Sequence, residues 1–227
     1  MLCIITARGG SKRIPRKNIK EFCGKPIIAY SIEAALDSGI FSEVMVSTDD
    51  DEIASVARKF GASVPFMRSA KNSDDFATTA DVLKEVLAEY KKLGREFSNF
   101  ACIYPTAPFV SAKRLKEAFE LMCQKNASFL TPVVKFSFPP QRAFVINDGF
   151  LAYNEPVNAP KRSQDLEPLY HDAGQFYFYN TKAFLSGKGS GWVPLVLSEL
   201  EVQDIDNLED WQLAQMKYRL LNEKNHN

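Results

Sequence analysis

The most distinctive chemistry in the sequence is a run of cations that follows an apolar, strand-like segment at the start of the chain. Residues 8–20, here called the basic loop, hold six Lys and Arg side chains and no acid. Gly9 and Gly10 allow a tight turn that brings backbone N–H groups close to an anion. The spacing matches neither the Walker pattern nor G-x-G-x-x-G. The loop predicts a binding site for a nucleoside triphosphate, and a solvated basic turn is the alternative.

A pair of carboxylates, Asp204 and Asp206, precedes the last helical segment. In an extended chain residues i and i+2 share a face, so both carboxylates would project together while Ile205 points to the core. Two hard oxygen ligands beside a polyphosphate suit Mg²⁺. The alternative is that Asp206 or Asn207 caps the helix and that Asp204 is merely exposed. These residues alone leave both interpretations open.

Weaker candidates lie elsewhere along the chain. The acids at 49–51 follow a predicted strand and favour a helix N-cap over a ligand role. The threonines at 78–79 are equally compatible with helix caps, and Arg68 is more typical of a surface cation than of a phosphate clamp. The His-Asp pair at 171–172 could be an acid/base pair, but a structural hydrogen bond explains it equally well.

Strand and helix patterns alternate through the first half of the chain, and these elements must position the residues above. Apolar and β-branched runs predict strands at residues 2–6, 43–47, 63–67, 100–104, 128–134 and 175–179. Helical patterns lie at about 26–37, 51–61, 79–94 and 111–124, and after 207. This alternation predicts a three-layer, Rossmann-like α/β fold with a mostly parallel sheet that binds ligands at the carboxyl ends of its strands.

The alternation stops between residues 135 and 172. Five prolines in this stretch exclude long helices, and the Asp-Gly pair at 148–149 predicts a hairpin turn. So long an insert in a compact domain is usually functional or packs on another chain. We therefore expect a single domain over residues 1–227 with an inserted arm, residues 135–172, that serves dimerisation.

Composition argues against several classes of function. With 45% hydrophobic and 12% aromatic residues the chain can bury a core. Twenty-eight Lys and Arg balance 28 Asp and Glu, which argues against a nucleic-acid binder, and two histidines argue against a zinc site or a Ser-His hydrolase. No apolar run reaches the roughly 20 residues of a membrane span, and no signal peptide is recognisable. The four separated cysteines suit buried thiols, so we expect a cytoplasmic protein.

Six separated motifs, in the same order, resemble those of the CMP-sugar synthetases for nine-carbon acidic sugars, the cytidylyltransferases for N-acetylneuraminate and its relatives. The motifs are residues 7–12 with Pro15 and 17–18, residues 46–49, Arg68 with Asp75, residues 78–79, residues 105–108, and residues 204–206. The resemblance covers nearly the whole chain. It implies a fold of the nucleotide-diphospho-sugar transferase type and a homodimer in which the arm reaches across to the partner.

The resemblance also implies a role for each matching residue. The triphosphate and cytidine of CTP would be held by Arg8, Gly10, Ser11, Lys12, Lys17 and Asn18, and the nucleotide pocket would be completed by Arg68 and Thr79. Mg²⁺ would be held by Asp204 and Asp206, and the residues that act in catalysis would be Lys12, Lys17 and Asp206. The sugar would face Tyr104, Arg162, His171, Asp172 and Gln175.

The activity that the resemblance implies is transfer of CMP from CTP to the anomeric hydroxyl of a sugar acid, with Mg²⁺ as cofactor and pyrophosphate as the second product. Residues 162–168 and 170–177 are similar to the branch of the family that acts on pseudaminic acid, and Tyr104 stands where the sialate branch has Gln. Pseudaminic acid is the expected sugar, with N-acetylneuraminate, legionaminate or 3-deoxy-manno-octulosonate as alternatives. A non-catalytic nucleotide sensor or RNA-binding module is the alternative from another class, and the paired carboxylates argue against it.

Overall fold

The predicted apolar runs form the strands of one large sheet in the computed structural model, which describes residues 1–224. In chain order the strands are β1 (Leu2–Thr6), β2 (Glu21–Phe22), β3 (Lys25–Pro26), β4 (Glu43–Ser47), β5 (Asn99–Ile103), β6 (Phe129–Lys135), β7 (Phe144–Asn147), β8 (Phe150–Tyr153), β9 (Tyr170–Asp172), β10 (Phe176–Asn180) and β11 (Trp192–Leu197). The α-helices are α1 (Ile27–Ser38), α2 (Asp51–Lys59), α3 (Thr79–Lys92), α4 (Ala112–Gln124), α5 (Thr181–Ser186) and α6 (Leu208–Lys224). None of these helices, within the described part of the chain, is long and apolar enough to cross a membrane.

The sheet has seven strands in the order β11-β6-β10-β5-β1-β4, with β9 also paired to β6. Strand β1 is parallel to β4 and to β5, and β6 is parallel to β11. Strand β10 is antiparallel to β5 and β6, and β9 is antiparallel to β6. The predicted mostly parallel sheet is confirmed, and the carboxyl ends of β1, β4 and β5 meet at one edge.

Alternation along the strands divides the core between the two faces of the sheet. The fully buried side chains of Cys3 and Ile5 pack in one cluster with α1, α2 and α4. Those of Leu2 and Ile4 pack on the other face against the apolar side of α3. Burying an aliphatic side chain of this size stabilises the fold by about 1.5–3 kcal/mol. The result is the predicted three-layer arrangement.

The strand predicted at residues 63–67 does not form, and this prediction is wrong. Only Ser63 pairs with the edge strand β4: its N–H donates to Val44 O at 2.8 Å and its carbonyl accepts from Val46 N at 2.9 Å. Two residues further on, Pro65 has no N–H to continue the ladder. The segment is an extended edge rather than a strand.

A smaller third cluster fixes the last helix to the basic loop. It contains the buried side chains of Ile14 from the loop, Phe22 from β2, Ile205, and Trp211 from α6. The rings of Phe22 and Trp211 meet edge to face at a centroid distance of 5.4 Å. This packing holds residues 204–206 beside the loop, although that segment is extended coil and not the strand end that the sequence suggested.

The arm contains the predicted hairpin. Strands β7 and β8 pair in antiparallel register around Asp148 and Gly149, which both adopt left-handed backbone conformations (φ of 50° and 83°). Such a conformation at both central residues is typical of a tight two-residue turn. Within residues 1–224, β7 and β8 pair with no other strand.

Replacing Trp211 by Ala should lower the free energy of unfolding by about 3–5 kcal/mol, because the side chain is 4% exposed and its removal leaves a cavity between α6 and the loop. Denaturant titration followed by circular dichroism measures the loss. The matched control is Leu213→Ala on the same helix, since Leu213 is 44% exposed. Equal losses for the two variants would contradict the proposed anchoring.

Candidate active site

The basic loop begins where β1 ends and lies directly on the end of β4. Gly9 donates its N–H to Asp49 Oδ1 at 2.9 Å. A Cβ built on Gly9 would stand only 2.9 Å from Asp50 Oδ2, so this close approach requires glycine. Around Gly10, in contrast, there is open space, which leaves its backbone accessible to a ligand.

The far end of the basic loop is fixed by a side chain of the loop itself. Asn18 is buried and donates from Nδ2 to Arg8 O at 2.8 Å. The Asn18 side chain therefore ties the first residue of the loop to the short 3₁₀ turn Lys17–Ile19. Its predicted contact with the nucleotide stays a prediction.

Two cations of the loop converge on Asp75, which lies in the segment before α3. Arg8 donates from Nη1 to Asp75 Oδ1 at 2.9 Å and to Asp74 O at 3.0 Å, and Lys12 Nζ contacts the other Asp75 oxygen. These donors hold the pKa of the exposed Asp75 carboxyl below its usual value. The side chains of Arg8 and Lys12 therefore meet at one point, where both bind the anionic oxygens of the Asp75 carboxylate.

Further along, Lys17 and Arg13 join the loop to the carboxylate pair. Lys17 donates from Nζ to Ile205 O at 2.7 Å, and Arg13 Nη2 donates to Asp206 Oδ1 at 2.7 Å. Burial lowers the pKa of Lys17, while the charges of Asp206 and Asp204 oppose this shift. The basic loop, predicted to bind a triphosphate, therefore lies next to the carboxylate pair, predicted to bind a metal ion, although the two come from opposite ends of the chain.

The donor chemistry of Asp204 and Asp206 fits Mg²⁺ in part. Ile205 between them is buried while the two carboxylates are accessible. Asn207 Oδ1, and not Asp206, accepts from the helix N–H groups of Glu209 and Asp210, at 2.8 and 3.0 Å. The Asp204 and Asp206 carboxylates are thus free of the capping role.

Two carboxylates do not complete a metal site. Within residues 1–224 no group of three or more His, Cys, Asp or Glu side chains is placed to hold an ion. Mg²⁺ commonly keeps several waters and binds through one or two carboxylates plus substrate phosphates. The pair suits an ion that takes its other ligands from a triphosphate and from water.

Arg68 stabilises the end of β4 that lies beneath the basic loop. It is buried, and it donates from Nε to Ser47 Oγ at 3.0 Å and from Nη2 to Ser47 O at 2.5 Å. Burial lowers the pKa of its guanidinium, and the neighbouring Asp49 opposes this shift. Arg68 therefore supports the carboxyl end of β4 beneath the loop instead of lying on the surface.

Where the sugar was predicted to bind, the structure brings Tyr104, Tyr177 and Asp172 together. The rings of Tyr104 and Tyr177 meet edge to face at 5.6 Å. Tyr177 donates from its hydroxyl to the Asp172 carboxylate, with both oxygens at 3.0 Å. Thr79 is the first residue of α3, and its predicted role in the nucleotide pocket stays a prediction. Burial raises the pKa of both tyrosines, so both stay protonated donors.

Three other predicted sugar contacts point elsewhere. Gln175 is buried and donates from Nε2 to Glu201 O at 2.5 Å. Together with Asp172, His171 lines a cavity of about 410 Å³ beside Trp192. Arg162 lies exposed on the arm. In the described chain these side chains do not join the group around Tyr104, and their sugar contacts stay predictions.

The sequence analysis missed the ion pairs at the site, namely those of Asp75, which it named only as part of a motif, and those of Arg16 with Asp50 and Glu52. Arg16 forms ion pairs with both acids, and Asp50 is also the N-cap of α2. One available signal was the acidic run at 49–51, which ends the strand next to β1. Because the carboxyl ends of neighbouring parallel strands share an edge, those acids had to face the loop cations.

Comparison with known proteins shows which family this chain resembles. A family model described as cytidylyltransferase matches residues 2–217. The chain is 44% identical to a pseudaminic acid cytidylyltransferase of Campylobacter jejuni, over 98% of this chain and 97% of that protein. It is 32% identical to a CMP-N,N'-diacetyllegionaminic acid synthase of Legionella pneumophila, over 95% and 94% of the two chains.

A solved structure shares the fold. CMP:2-keto-3-deoxy-manno-octonic acid synthetase complexed with CTP superposes with a TM-score of 0.70, at 18% identity, over 98% of each chain. The nucleotidyltransferase fold and the family resemblance predicted from the motifs are both confirmed. The match over residues 2–217, together with the identity to whole relatives, shows that this chain is an enzyme of the cytidylyltransferase family.

Proposed function

We propose that this enzyme transfers CMP from CTP to the anomeric hydroxyl of pseudaminic acid, in a Mg²⁺-dependent reaction that releases pyrophosphate. The observation that carries the proposal is the meeting of the basic loop with Asp204 and Asp206, where Lys17 bonds the backbone carbonyl between the two carboxylates. The choice of sugar is supported by the 44% identity to the Campylobacter jejuni pseudaminic acid cytidylyltransferase.

The chemistry follows from the charges of the loop. Arg8, Lys12 and Lys17 provide charge-assisted donors for the triphosphate of CTP. Phosphoryl transfer depends mainly on holding the reacting groups in line and on neutralising charge at the phosphate oxygens. In this proposal Arg8 and Lys12 bind the leaving pyrophosphate, because both already bind the anionic oxygens of Asp75. Mg²⁺ held by Asp204 and Asp206 would act as a Lewis acid and lower the pKa of the attacking hydroxyl.

The sugar acid would lie against Tyr104 and Tyr177. This wall is largely aromatic, and its one carboxylate, Asp172, already accepts from Tyr177. Pseudaminic acid carries an acetamido group at C7 and a methyl group at C9, where N-acetylneuraminate carries hydroxyls. A less polar sugar edge fits an aromatic wall better, because a hydroxyl buried there without a partner is costly.

The proposal includes a homodimer formed through the arm. Apolar side chains on both strands of the hairpin are exposed, including Ile146 at 73% and Phe150 at 79%. A two-stranded hairpin is marginal on its own in water. The outward-facing Trp192 on β11 adds to the apolar surface. A second copy of the chain would cover both surfaces.

Asp204→Asn and Asp206→Asn should each lower turnover at least about 100-fold, because loss of one carboxylate weakens Mg²⁺ binding and removes several kcal/mol of transition-state stabilisation. Pyrophosphate release from CTP and pseudaminic acid over a range of MgCl₂ concentrations measures this. Asp37→Asn, on the exposed end of α1, is the control with the same change of charge. Normal turnover with unchanged Mg²⁺ dependence in either variant would refute the metal assignment.

Deleting residues 138–153 should give a monomer that still binds CTP but has a raised KM for the sugar. Ile146→Asp with Phe150→Asp tests the same interface without shortening the chain, since buried carboxylates oppose association. Light scattering gives the mass. Leu93→Asp, an exposed position at the end of α3, should leave the mass of the wild-type assembly unchanged. A monomeric wild-type protein would contradict the proposed dimer.

The enzyme should prefer pseudaminic acid over N-acetylneuraminate by roughly 100-fold in kcat/KM, because two unpaired hydroxyls cost about 1–3 kcal/mol each. Tyr177→Phe removes the bond to Asp172 and should raise the KM for the sugar while leaving that for CTP unchanged. Initial rates at subsaturating sugar measure both effects. Comparable rates with the two sugars would show that the pocket is assigned wrongly.

A further inference from the structure

Arg16, in the middle of the basic loop, has a backbone conformation that side-chain-bearing residues rarely adopt. Its φ is 56° and its ψ is 29°, in the left-handed region. This conformation is unfavourable for any residue with a Cβ, and such strain persists where the surrounding structure enforces it. The proposed reaction needs no contact between the Arg16 side chain and a substrate. Its conformation therefore calls for a physical cause.

The contacts of its side chain can hold this conformation in place. Arg16 donates from Nη1 to Asp50 Oδ2 at 2.5 Å and from Nη2 to Asp50 Oδ1 at 2.9 Å, and it also contacts Glu52. A bidentate guanidinium–carboxylate pair fixes orientation as well as distance. Arg16 holds the pKa of Asp50 down at about 2, so the pair is ionised throughout the neutral range.

Asp50 is itself immobilised. Its Oδ1 accepts from Ile53 N at 2.9 Å as the N-cap of α2. The ion pair therefore links the loop to the N-terminus of α2.

The same helix end also holds the start of the loop. Gly9 donates to Asp49 and packs against Asp50, and Arg16 is anchored to the same Asp50 carboxylate. After Arg16, its carbonyl accepts from Ile19 N and Lys20 N, each at 3.0 Å, which sets the 3₁₀ turn that contains Lys17. Both ends of the segment 9–16 are thus fixed to one point.

We propose that Arg16 is a positioning residue: its ion pairs with Asp50 and Glu52 keep the basic loop in the shape that binds the triphosphate of CTP before CTP arrives. Arg16 itself need not touch the nucleotide. Preorganised donors bind more tightly because less conformational entropy is lost on binding. The inference rests on the proposed function, since it takes the triphosphate to be the ligand of the loop.

Calorimetric titration of Arg16→Ala and Arg16→Gly with CTP and, separately, with CMP tests the proposal. Both variants remove the ion pairs; Ala would be strained in the native left-handed conformation as Arg is, whereas Gly can adopt that conformation without strain. We expect both variants to bind CTP about tenfold more weakly than wild type and CMP within about twofold of it, because the loss falls on the triphosphate. Arg16→Lys should be intermediate, since Lys cannot pair bidentately.

The matched control is Arg95→Ala. Arg95 also pairs with a carboxylate, Glu43, but at the opposite end of β4. The Arg95→Ala variant should have a lower free energy of unfolding and an unchanged affinity for CTP. Wild-type CTP affinity in Arg16→Gly, or equal losses for CTP and CMP, would overturn the positioning role. If the wild-type enzyme itself did not bind CTP, both the proposed function and this inference would be overturned.

Variants of the acidic partners cover the case in which the Arg16 variants do not fold. Asp50→Asn keeps an oxygen that can accept from Ile53 N, and Glu52→Gln leaves the cap untouched, so both should retain α2. Each should weaken CTP binding by a few-fold without an equal loss for CMP. Unchanged CTP affinity in both would overturn the proposal.

Discussion

The structure around the site depends on the repulsion among six cations in residues 8–20. Two like charges at 4 Å repel by about 1 kcal/mol even in water and by more near a protein surface. Carboxylates from three separate parts of the chain offset this repulsion: Asp50 and Glu52 beside α2, Asp75 before α3, and Asp206 before α6. A chain with zero net charge thereby holds a concentrated positive loop in one shape.

These carboxylates reach the loop because of sheet topology. Parallel pairing of β1 with β4 places the loop and the acids 49–51 at neighbouring strand ends. The helix α6 brings Asp206 from the far end of the chain, held by the packing of Ile14, Ile205 and Trp211. An apolar cluster thus sets the distance between the cations and the carboxylate pair, which links core stability to the geometry of the active site.

The proposed sugar side of the site is built by the antiparallel strand that interrupts the sheet. Strand β10 lies between β5 and β6, so Tyr177 comes beside Tyr104 at the end of β5. Gln175, two residues before Tyr177, has its side chain buried against Glu201 instead. Residues predicted to contact substrate and residues with structural contacts therefore lie close together along one stretch of chain, and residue type alone does not separate them.

The sequence by itself determined the features that depend on near neighbours. Strand β4 covers the predicted residues 43–47, Thr78 and Ser111 cap α3 and α4, and the hairpin turns at 148–149. Alternation, helical periodicity and capping are local, and the local pattern decides them. The six motifs along the chain were likewise sufficient to predict the family, because each consists of residues close together in sequence.

Only the tertiary structure decided which of these residues meet. The segment 63–67 remained outside the sheet because a single bridge and a proline ended its pairing. Asp75 gained its role as the partner of Arg8 from a contact across 67 positions, and Arg13 meets Asp206 across 193. Such contacts depend on strand order and on the packing of α6. A linear pattern of residue types contains neither, and for that reason the ion pairs that shape the loop were found only in the folded chain.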